Sequence, residues 1–158
     1  MSIDQNFIDF MVQIGKISGF DDLTAKIFAI LYLEPEDIAM DDLSKQTGYS
    51  LASISNKVKL LESINLLKKI KKPKSKKIYL YIDKDYLEIL KDHLLKMQQL
   101  KLNLIKDKMP AIIEEYKSKA KTEKEKKKLK ILENYLSQTL KFDNIILSII
   151  EALAKQEK

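Results

Sequence analysis

The segment 41–82 constrains the fold most, because two short helical patterns are followed at once by two β-prone runs. The first helix is expected to begin at Asp41 or Asp42 and to run through Thr47, where Gly48 interrupts it. The second is expected to open at Ser50 and to reach about Ser63. Its inner face is formed by Ile54, Val58 and Leu61. Helical spacing alone indicates only a packed helix, so the turn and the β-prone runs carry the specific signal.

The two β-prone runs flank Pro73-Lys74-Ser75-Lys76 and predict a hairpin with a lysine-rich tip. Asn65, just before them, occupies a position where a helix C-terminus favours a left-handed residue. Apolar side chains recur at alternate positions, namely Ile70, Ile78, Leu80 and Ile82.

Amphipathic helices are expected on the N-terminal side of this segment. One covers residues 3–17 and stops at Gly19; the next is capped by Asp21 or Asp22 and ends near Leu33, before Glu34-Pro35. The inner face of the second consists of Leu23, Ile27, Ile30 and Leu31. Residues 38–40 are a short apolar segment for which a small strand is expected.

Long helices are expected on the C-terminal side. One runs from Asp85 to about Lys108, and Pro110 kinks or restarts it for a stretch ending at Tyr116. Its seam is predicted to consist of Leu87, Leu90, Leu94, Met97 and Leu104. A last helix, 129–153, is apolar on nearly all sides and therefore needs a partner surface.

The order helix, short strand, helix, turn, helix and hairpin over residues 22–82 is that of a winged helix-turn-helix. The predicted fold class is mainly α, with a small β-hairpin wing and long dimerisation helices. Three regions follow: an N-terminal dimerisation helix at 1–20, a winged DNA-binding domain at 21–83 and a helical dimerisation region at 84–158.

Positive charge is concentrated in two short segments. Residues 57–77 hold nine lysines against Glu62 alone, whereas residues 1–56 hold three lysines against nine acids. Residues 119–130 hold seven lysines against two acids, and for these a solvated helix or linker is preferred over an added DNA or partner contact. A concentrated basic patch is what a polyanion recognises.

The chain has no arginine, so bidentate guanidinium contacts with guanine are excluded. On the predicted second helix, the face opposite Ile54 and Val58 carries small and polar residues that can approach base edges in a major groove. Asn56 is the candidate for pairing with adenine, and Lys57 and Lys59 for reaching phosphates. The full candidate DNA-binding set is Ser50, Leu51, Ala52, Ser53, Ser55, Asn56, Lys57 and Lys59, with Lys72, Lys74, Lys76 and Lys77 on the wing.

The stretch LSKQTGYSLASISNKVKLLESINLLKKIKKPKSKKIYLYI resembles the MarR-like winged-helix regulators, most closely their GbsR-like branch. The matched pattern includes Gly48, Ser50, Ser55, Leu61, Leu66, Pro73, Lys76, Lys77 and Tyr79. The resemblance extends over about residues 5–155, and residues 22–82 are its specific part. It implies a dimeric transcriptional regulator.

Other classes of site find little support. There is no cysteine, and His93, expected to be exposed, cannot form a zinc site alone, so no metal and no cofactor are expected. Without a nucleophile and base pair or a glycine-rich phosphate loop, an enzyme is not expected. Four tyrosines either line an effector pocket or, as preferred, pack around the hairpin. They are Tyr32, Tyr79, Tyr81 and Tyr86.

These observations predict a homodimeric, sequence-specific regulator that binds double-stranded DNA and acts as a repressor in the cytoplasm. No signal peptide or membrane span is expected. The alternative is a winged-helix protein–protein module of the transcription machinery that binds DNA weakly and without sequence preference. The operator and any small-molecule effector stay undetermined.

Overall fold

The computed structural model describes residues 3–156, although it says nothing of the Ile3 side chain. Contacts divide the chain into two compact units, with the boundary between Ile89 and Leu90. The first unit begins with helices α1 (Ile3–Ile17) and α2 (Asp22–Leu33), strand β1 (Ile38–Ala39), and helices α3 (Met40–Thr47) and α4 (Leu51–Ser63). Strands β2 (Lys68–Lys71) and β3 (Ile78–Tyr81) follow. Helix α5 (Tyr86–Lys96) crosses the boundary. A π-helical segment (Met97–Leu102) and helices α6 (Asn103–Lys119) and α7 (Glu123–Ala154) form the rest of the second unit.

The first unit is a winged helix, as the order of elements predicts. Its three antiparallel strands are arranged β1-β3-β2, with Ile38 opposite Leu80 and Ile70 opposite Tyr79. We call residues 68–81 the wing. Leu80 and Ile82 are fully buried, whereas Ile78 at the outer end of the wing is exposed. Helices and sheet share one apolar core, whose fully buried members include Ile27, Leu31, Leu43, Ile54, Val58 and Leu61.

Local signals set the ends of the elements in this unit. The Asp21 carboxylate accepts a hydrogen bond from Thr24 N at 2.8 Å and so caps α2, as predicted. Ser50 caps α4 by accepting from Ser53 N. Gly48 and Asn65 are left-handed, with φ of 73° and 57°, which ends α3 and α4 at the predicted places. The start of α3 is one correction: it begins at Met40, and Ala39 occupies the N-cap position without a side-chain cap. Met40 is buried, so packing extends the helix before Asp41.

Helix α1 packs closely on α2 within the first unit. Gly15 allows this approach, because a Cβ at that position would overlap the side chain of Ala25. The other side of α1 leaves Phe10, Ile14 and Ile17 exposed. The predicted bounds of this helix are confirmed, and part of its apolar surface has no partner within the described residues.

The second unit differs from the predicted long helix in two ways. Helix α6 continues through Pro110 to Lys119, so the predicted restart at the proline and end at Tyr116 are wrong. Proline inside a helix costs about 3 kcal/mol, and the packing of α6 against α7 offsets this cost. The irregularity lies earlier, in the π-helical segment. Its wider turn shifts the phase of the apolar pattern, so Leu104 of the predicted seam is exposed while Leu102 is buried.

The rest of the predicted seam is mixed. Leu87 is also exposed, and Leu90, Leu94 and Met97 are only partly buried. His93 is partly buried and has interactions with other residues, so the prediction that it is exposed is wrong.

Helix α7 begins six residues before the predicted start at Leu129. Thr122 accepts a hydrogen bond from Glu125 N, and the Glu125 side chain accepts from Thr122 N at 2.8 Å. This capping box provides partners for two backbone donors at the first turn. The lysine-rich stretch after Thr122 is therefore helical rather than a flexible link.

A buried polar cluster joins the π-helical segment, α6 and α7. Asp143 is almost fully buried and pairs with Lys106 at 2.8 Å, and Gln98 donates a hydrogen bond to the same carboxylate at 3.2 Å. The pKa of Asp143 is lowered, mainly by the hydrogen bond from Lys106. The cluster gives the irregular helix a polar contact with α7 in addition to apolar packing.

Candidate nucleic-acid interface

Helix α4 exposes the face that the sequence assigns to base contacts. Ala52, Asn56 and Lys59 lie on one side of the helix and are exposed, while Ile54 and Val58 on the opposite side are fully buried. The face is completed by Ser50 and Leu51, both exposed, and by Ser53 and Ser55, both partly exposed. Short side chains at its N-terminal end leave the backbone accessible, which a close approach to base edges requires.

The turn between α3 and α4 is held by hydroxyl groups. Ser44 Oγ donates to the carbonyl of Tyr49 at 2.6 Å, and Thr47 Oγ1 donates to the carbonyl of Leu43 at 2.9 Å. Ser50 Oγ and Ser53 Oγ lie 2.9 Å apart. These bonds fix the direction in which α4 leaves the turn, and therefore which residues it presents.

Lys57 is held by an acidic residue of the same unit. Its Nζ donates to Asp21 Oδ2 at 2.6 Å, so the N-cap of α2 is joined to α4. The pKa of Asp21 is lowered, first by this bond from Lys57 and then by the backbone donor Thr24 N. Lys57 thus already has an anionic partner, and its role as a phosphate contact stays a prediction.

Two wing lysines are held in the same way. Lys72 Nζ lies 2.9 Å from Asp37 Oδ2 and 4.3 Å from the centre of the Tyr79 ring. Asp37 Oδ2 is buried and accepts no hydrogen bond from the described residues, so the nearby Lys72 ammonium group interacts with it by charge. Lys77 Nζ lies 2.9 Å from Asp41 and 3.3 Å from Asp42.

The pKa values follow these contacts. The pKa of Lys72 is raised, mainly by Asp37, and that of Lys77 is raised by Asp41 first and then by Asp42. The pKa of Asp41 is lowered by Lys77. Both lysines therefore keep their proton to a higher pH than an isolated lysine, and the charge of both is partly neutralised by carboxylates of their own chain.

The other three predicted lysines lie free. Lys59, Lys74 and Lys76 are exposed and form no ion pair with any of residues 3–156. Lys74 lies at the tip of the wing in a left-handed conformation, with φ of 64°. The six predicted lysines thus divide into a held set (Lys57, Lys72, Lys77) and a free set (Lys59, Lys74, Lys76).

Sequence reasoning did not include Lys71 among the candidates. It is exposed at the end of β2, opposite Ile78, and it too forms no ion pair within the described part of the chain. The alternation along β2 could have identified it, because Ile70 turns inward and its two neighbours must turn outward.

The four tyrosines do not share one pocket. Tyr32 stacks on Phe28 and Phe7 and donates its hydroxyl to the carbonyl of Lys84. The rings of Tyr79 and Tyr81 are covered by Lys72 and Lys84, respectively. Tyr86 is exposed. The hairpin tyrosines therefore already hold cations from their own chain.

Residues 3–156 contain neither a metal-ligand cluster nor a membrane-spanning helix. In that range no group of three or more histidine, aspartate or glutamate side chains is placed to hold a metal ion. No helix in that range is long and apolar enough to cross a membrane.

Comparison with known proteins gives a structural match but no sequence match. The chain matches no known protein-family profile and no curated protein. It is similar to a crystal structure of a transcriptional regulator, with a TM-score of 0.72 and 12% sequence identity. The alignment covers 98% of this chain and 99% of that one, so the two share a fold over nearly their whole lengths.

Proposed function

We propose that this chain is a sequence-specific regulator of transcription that binds double-stranded DNA as a homodimer and represses by steric occlusion. The observation that carries the proposal is the exposed face of α4, where Ala52, Asn56 and Lys59 lie opposite the buried core side. The free wing lysines Lys74 and Lys76 belong to the same compact unit. A helix with a small polar face, accompanied by exposed point charges, suits a major groove and its flanking phosphates.

The similarity to a solved transcriptional regulator supports the class of function, since it extends over nearly the full length of both chains. Within that class we place the chain among the MarR-like regulators, near the GbsR-like branch, on the motif around Gly48 and the basic wing. An enzymatic role is not part of the proposal, and we expect the protein to act in the cytoplasm.

The dimer is proposed from the exposed apolar stripe on α7. Ile131 and Ile145 are 67% and 55% exposed, and they recur with other large side chains at helical spacing. The stripe consists of Ile131, Tyr135, Phe142, Ile145 and Ile149. A stripe of this length favours burial against a second copy, since apolar surface gains about 25 cal/mol per Å² on burial. The exposed side of α1 is a further candidate for this interface.

Selection of bound fragments from the source genome, followed by footprinting, tests the proposal. A two-fold dimer presents two identical α4 helices, so we expect an inverted repeat with half-sites about 10–10.5 bp apart between centres. Because the chain has no guanidinium groups, readout by Asn56 and by contacts of Leu51 and Ala52 with thymine methyls predicts an A·T-rich site. Light scattering is expected to give twice the 18.4 kDa chain mass.

Asn56→Ala is the matched variant for base readout. We expect it to relax preference at particular base pairs, by about 1–3 kcal/mol each, while non-specific affinity changes little. A G·C-rich consensus would contradict the readout. A single half-site would contradict the symmetric dimer. Protection without any consensus would favour the alternative, a winged-helix protein–protein module with weak DNA binding.

A further inference from the structure

A second basic surface lies in the second unit, at the turn that joins α6 to α7. We call residues 117–130 the α6–α7 tip. It is formed by two helix ends, the end of α6 at Lys119 and the start of α7 after the Thr122 cap. The capping box fixes the first turns of α7, so the lysines that follow are arranged by a helix and not by a loose linker.

Only part of this charge is neutralised by neighbouring carboxylates. Lys119 pairs with Glu115 at 2.6 Å, Lys126 with Glu123 at 3.0 Å, and Lys117 lies 4.0 Å from Glu114. The remaining lysines are exposed and form no ion pair with residues 3–156. They are Lys121, Lys124, Lys127, Lys128 and Lys130.

Three of these lysines lie on one face of α7. Lys124 lies three residues before Lys127 and four before Lys128, so its side chain neighbours both on the helix surface. Lys124 also lies in the first turn, where the helix dipole disfavours positive charge. Like charges at these spacings are unfavourable, and a bound polyanion would relieve their repulsion.

We propose that the α6–α7 tip binds the phosphate backbone of duplex DNA without sequence preference, as a second contact besides the winged unit. The inference rests on the proposed function, which brings duplex DNA to this chain. Between residues 117 and 130 no large apolar side chain is exposed, and Ile131, the next one along α7, belongs to the stripe proposed for the dimer. An interfacial membrane helix inserts several such anchors, and the tip has none among its own residues. Ammonium groups alone suit phosphates, and their contribution is independent of base sequence.

The experiment compares two variants that lose the same charge. The tip variant is Lys124→Gln, Lys127→Gln, Lys128→Gln and Lys130→Gln. The control carries Lys101→Gln, Lys108→Gln, Lys141→Gln and Lys155→Gln, four exposed lysines of the same unit that are not clustered. Affinity for a random-sequence duplex of about 60 bp is measured against salt concentration. For the tip variant, we expect the slope of log affinity against log salt concentration to fall by about 0.9 for each lost phosphate contact, and affinity at low salt to fall roughly tenfold. For the control, we expect the slope to fall by less than the value for one contact.

The outcomes separate this inference from the proposed function. If the unmodified protein binds no duplex, both are overturned. If it binds but the tip and control variants have equal slopes, the inference is overturned while the proposed function stands. Vesicles with about 30% phosphatidylserine serve as the competing polyanion. Vesicle binding lost only in the tip variant, with its DNA slope unchanged, would also overturn the inference and assign the tip to a membrane surface.

Discussion

The wing and the α6–α7 tip carry similar runs of lysine, but their carboxylate partners come from different parts of the chain. On the wing, Lys72 and Lys77 pair with Asp37, Asp41 and Asp42, some 35 residues away in sequence. At the tip, the paired lysines use glutamates three or four residues away on the same helix. The ion pairs of the wing are therefore tertiary contacts, whereas those of the tip are local.

This difference shows that a lysine run does not reveal its role by its charge. The wing pairs attach the hairpin to β1 and α3 and leave Lys74 and Lys76 projecting free. The tip pairs stabilise only their own helix, and surface pairs of this kind contribute little. In the wing, the held Lys72 and Lys77 flank Lys74 and Lys76, which remain available, and Lys71 at the end of β2 is available as well.

The largest effect is expected from removing the free set. Lys59→Gln with Lys74→Gln and Lys76→Gln should reduce the slope of affinity against salt by about 0.9 for each of the three contacts, and lower affinity roughly a hundredfold near 0.1 M salt. Titration of a labelled duplex at several salt concentrations measures both quantities. Thermal unfolding should change little, because these lysines hold no partner in the described structure.

The held set is the matched comparison, since Lys57→Gln with Lys72→Gln and Lys77→Gln removes the same charge. For this variant the slope of affinity against salt should fall by less than about 0.9, the value for one phosphate contact. The midpoint of thermal unfolding should fall, because Asp21, Asp37 and Asp41 lose their cationic partners. Equal slopes for the two triple variants would break the division into free and held lysines.

A smaller and opposite effect is expected from removing the carboxylates that hold Lys77. Asp41→Asn with Asp42→Asn should release this lysine, raise the salt slope by about 0.9 and tighten non-specific binding by up to roughly tenfold. Glu133→Gln with Glu151→Gln removes the same charge as a control, because these two exposed glutamates of α7 form no ion pair with residues 3–156. A similar gain from both pairs would mean that net charge alone, and not the release of Lys77, causes the change.

The sequence predicts those features that depend on neighbouring residues. Ser50 caps α4 and Asn65 ends it because each acts through its own backbone neighbourhood. The wing follows from alternation around a proline turn, and the exposed face of α4 follows from the spacing of Ile54 and Val58. The winged helix was predictable for this reason.

Most of the errors occur where distant packing decides, but one has a local cause. The start of α7 did have a local signal, the Thr122–Glu125 capping box, which the lysine-rich composition obscured. The π-helical segment had none, and its extra residue per turn rotates Leu104 outward. Pro110 ends a helix by local rules, yet packing on α7 carries α6 through it.

The division of the lysines could not be predicted from sequence either. Whether Lys72 or Lys74 finds a carboxylate depends on where β1 and α3 place Asp37 and Asp41, and that is a property of the tertiary structure. The count of lysines in residues 57–77 predicts a basic surface, but the fold decides which of its charges remain available.

The smallest effect is expected from pH. The pKa values of Lys72 and Lys77 are raised above the usual 10.5 by their carboxylate partners, so the stability they contribute is complete below that pH and is lost only as pH rises further. The pKa values of Asp21 and Asp41 are lowered below 3.8, so their contribution is complete above that pH and is lost as pH falls through the lower folded values.

Between about pH 6 and pH 9 the ion pairs of the held set should therefore keep their charge, and duplex affinity at constant ionic strength should vary by less than about twofold. Fluorescence anisotropy of a labelled duplex measures this directly. Lys84 provides an internal contrast, because burial lowers its pKa and it therefore loses its proton at a lower pH than an ordinary lysine. Its ammonium group donates a hydrogen bond to the carbonyl of Leu31 inside the winged unit, so we do not expect it to contact DNA. A larger change in affinity within this range would mean that a group titrating near neutrality contributes to the interface, and the contrast between held and free lysines would then not describe it.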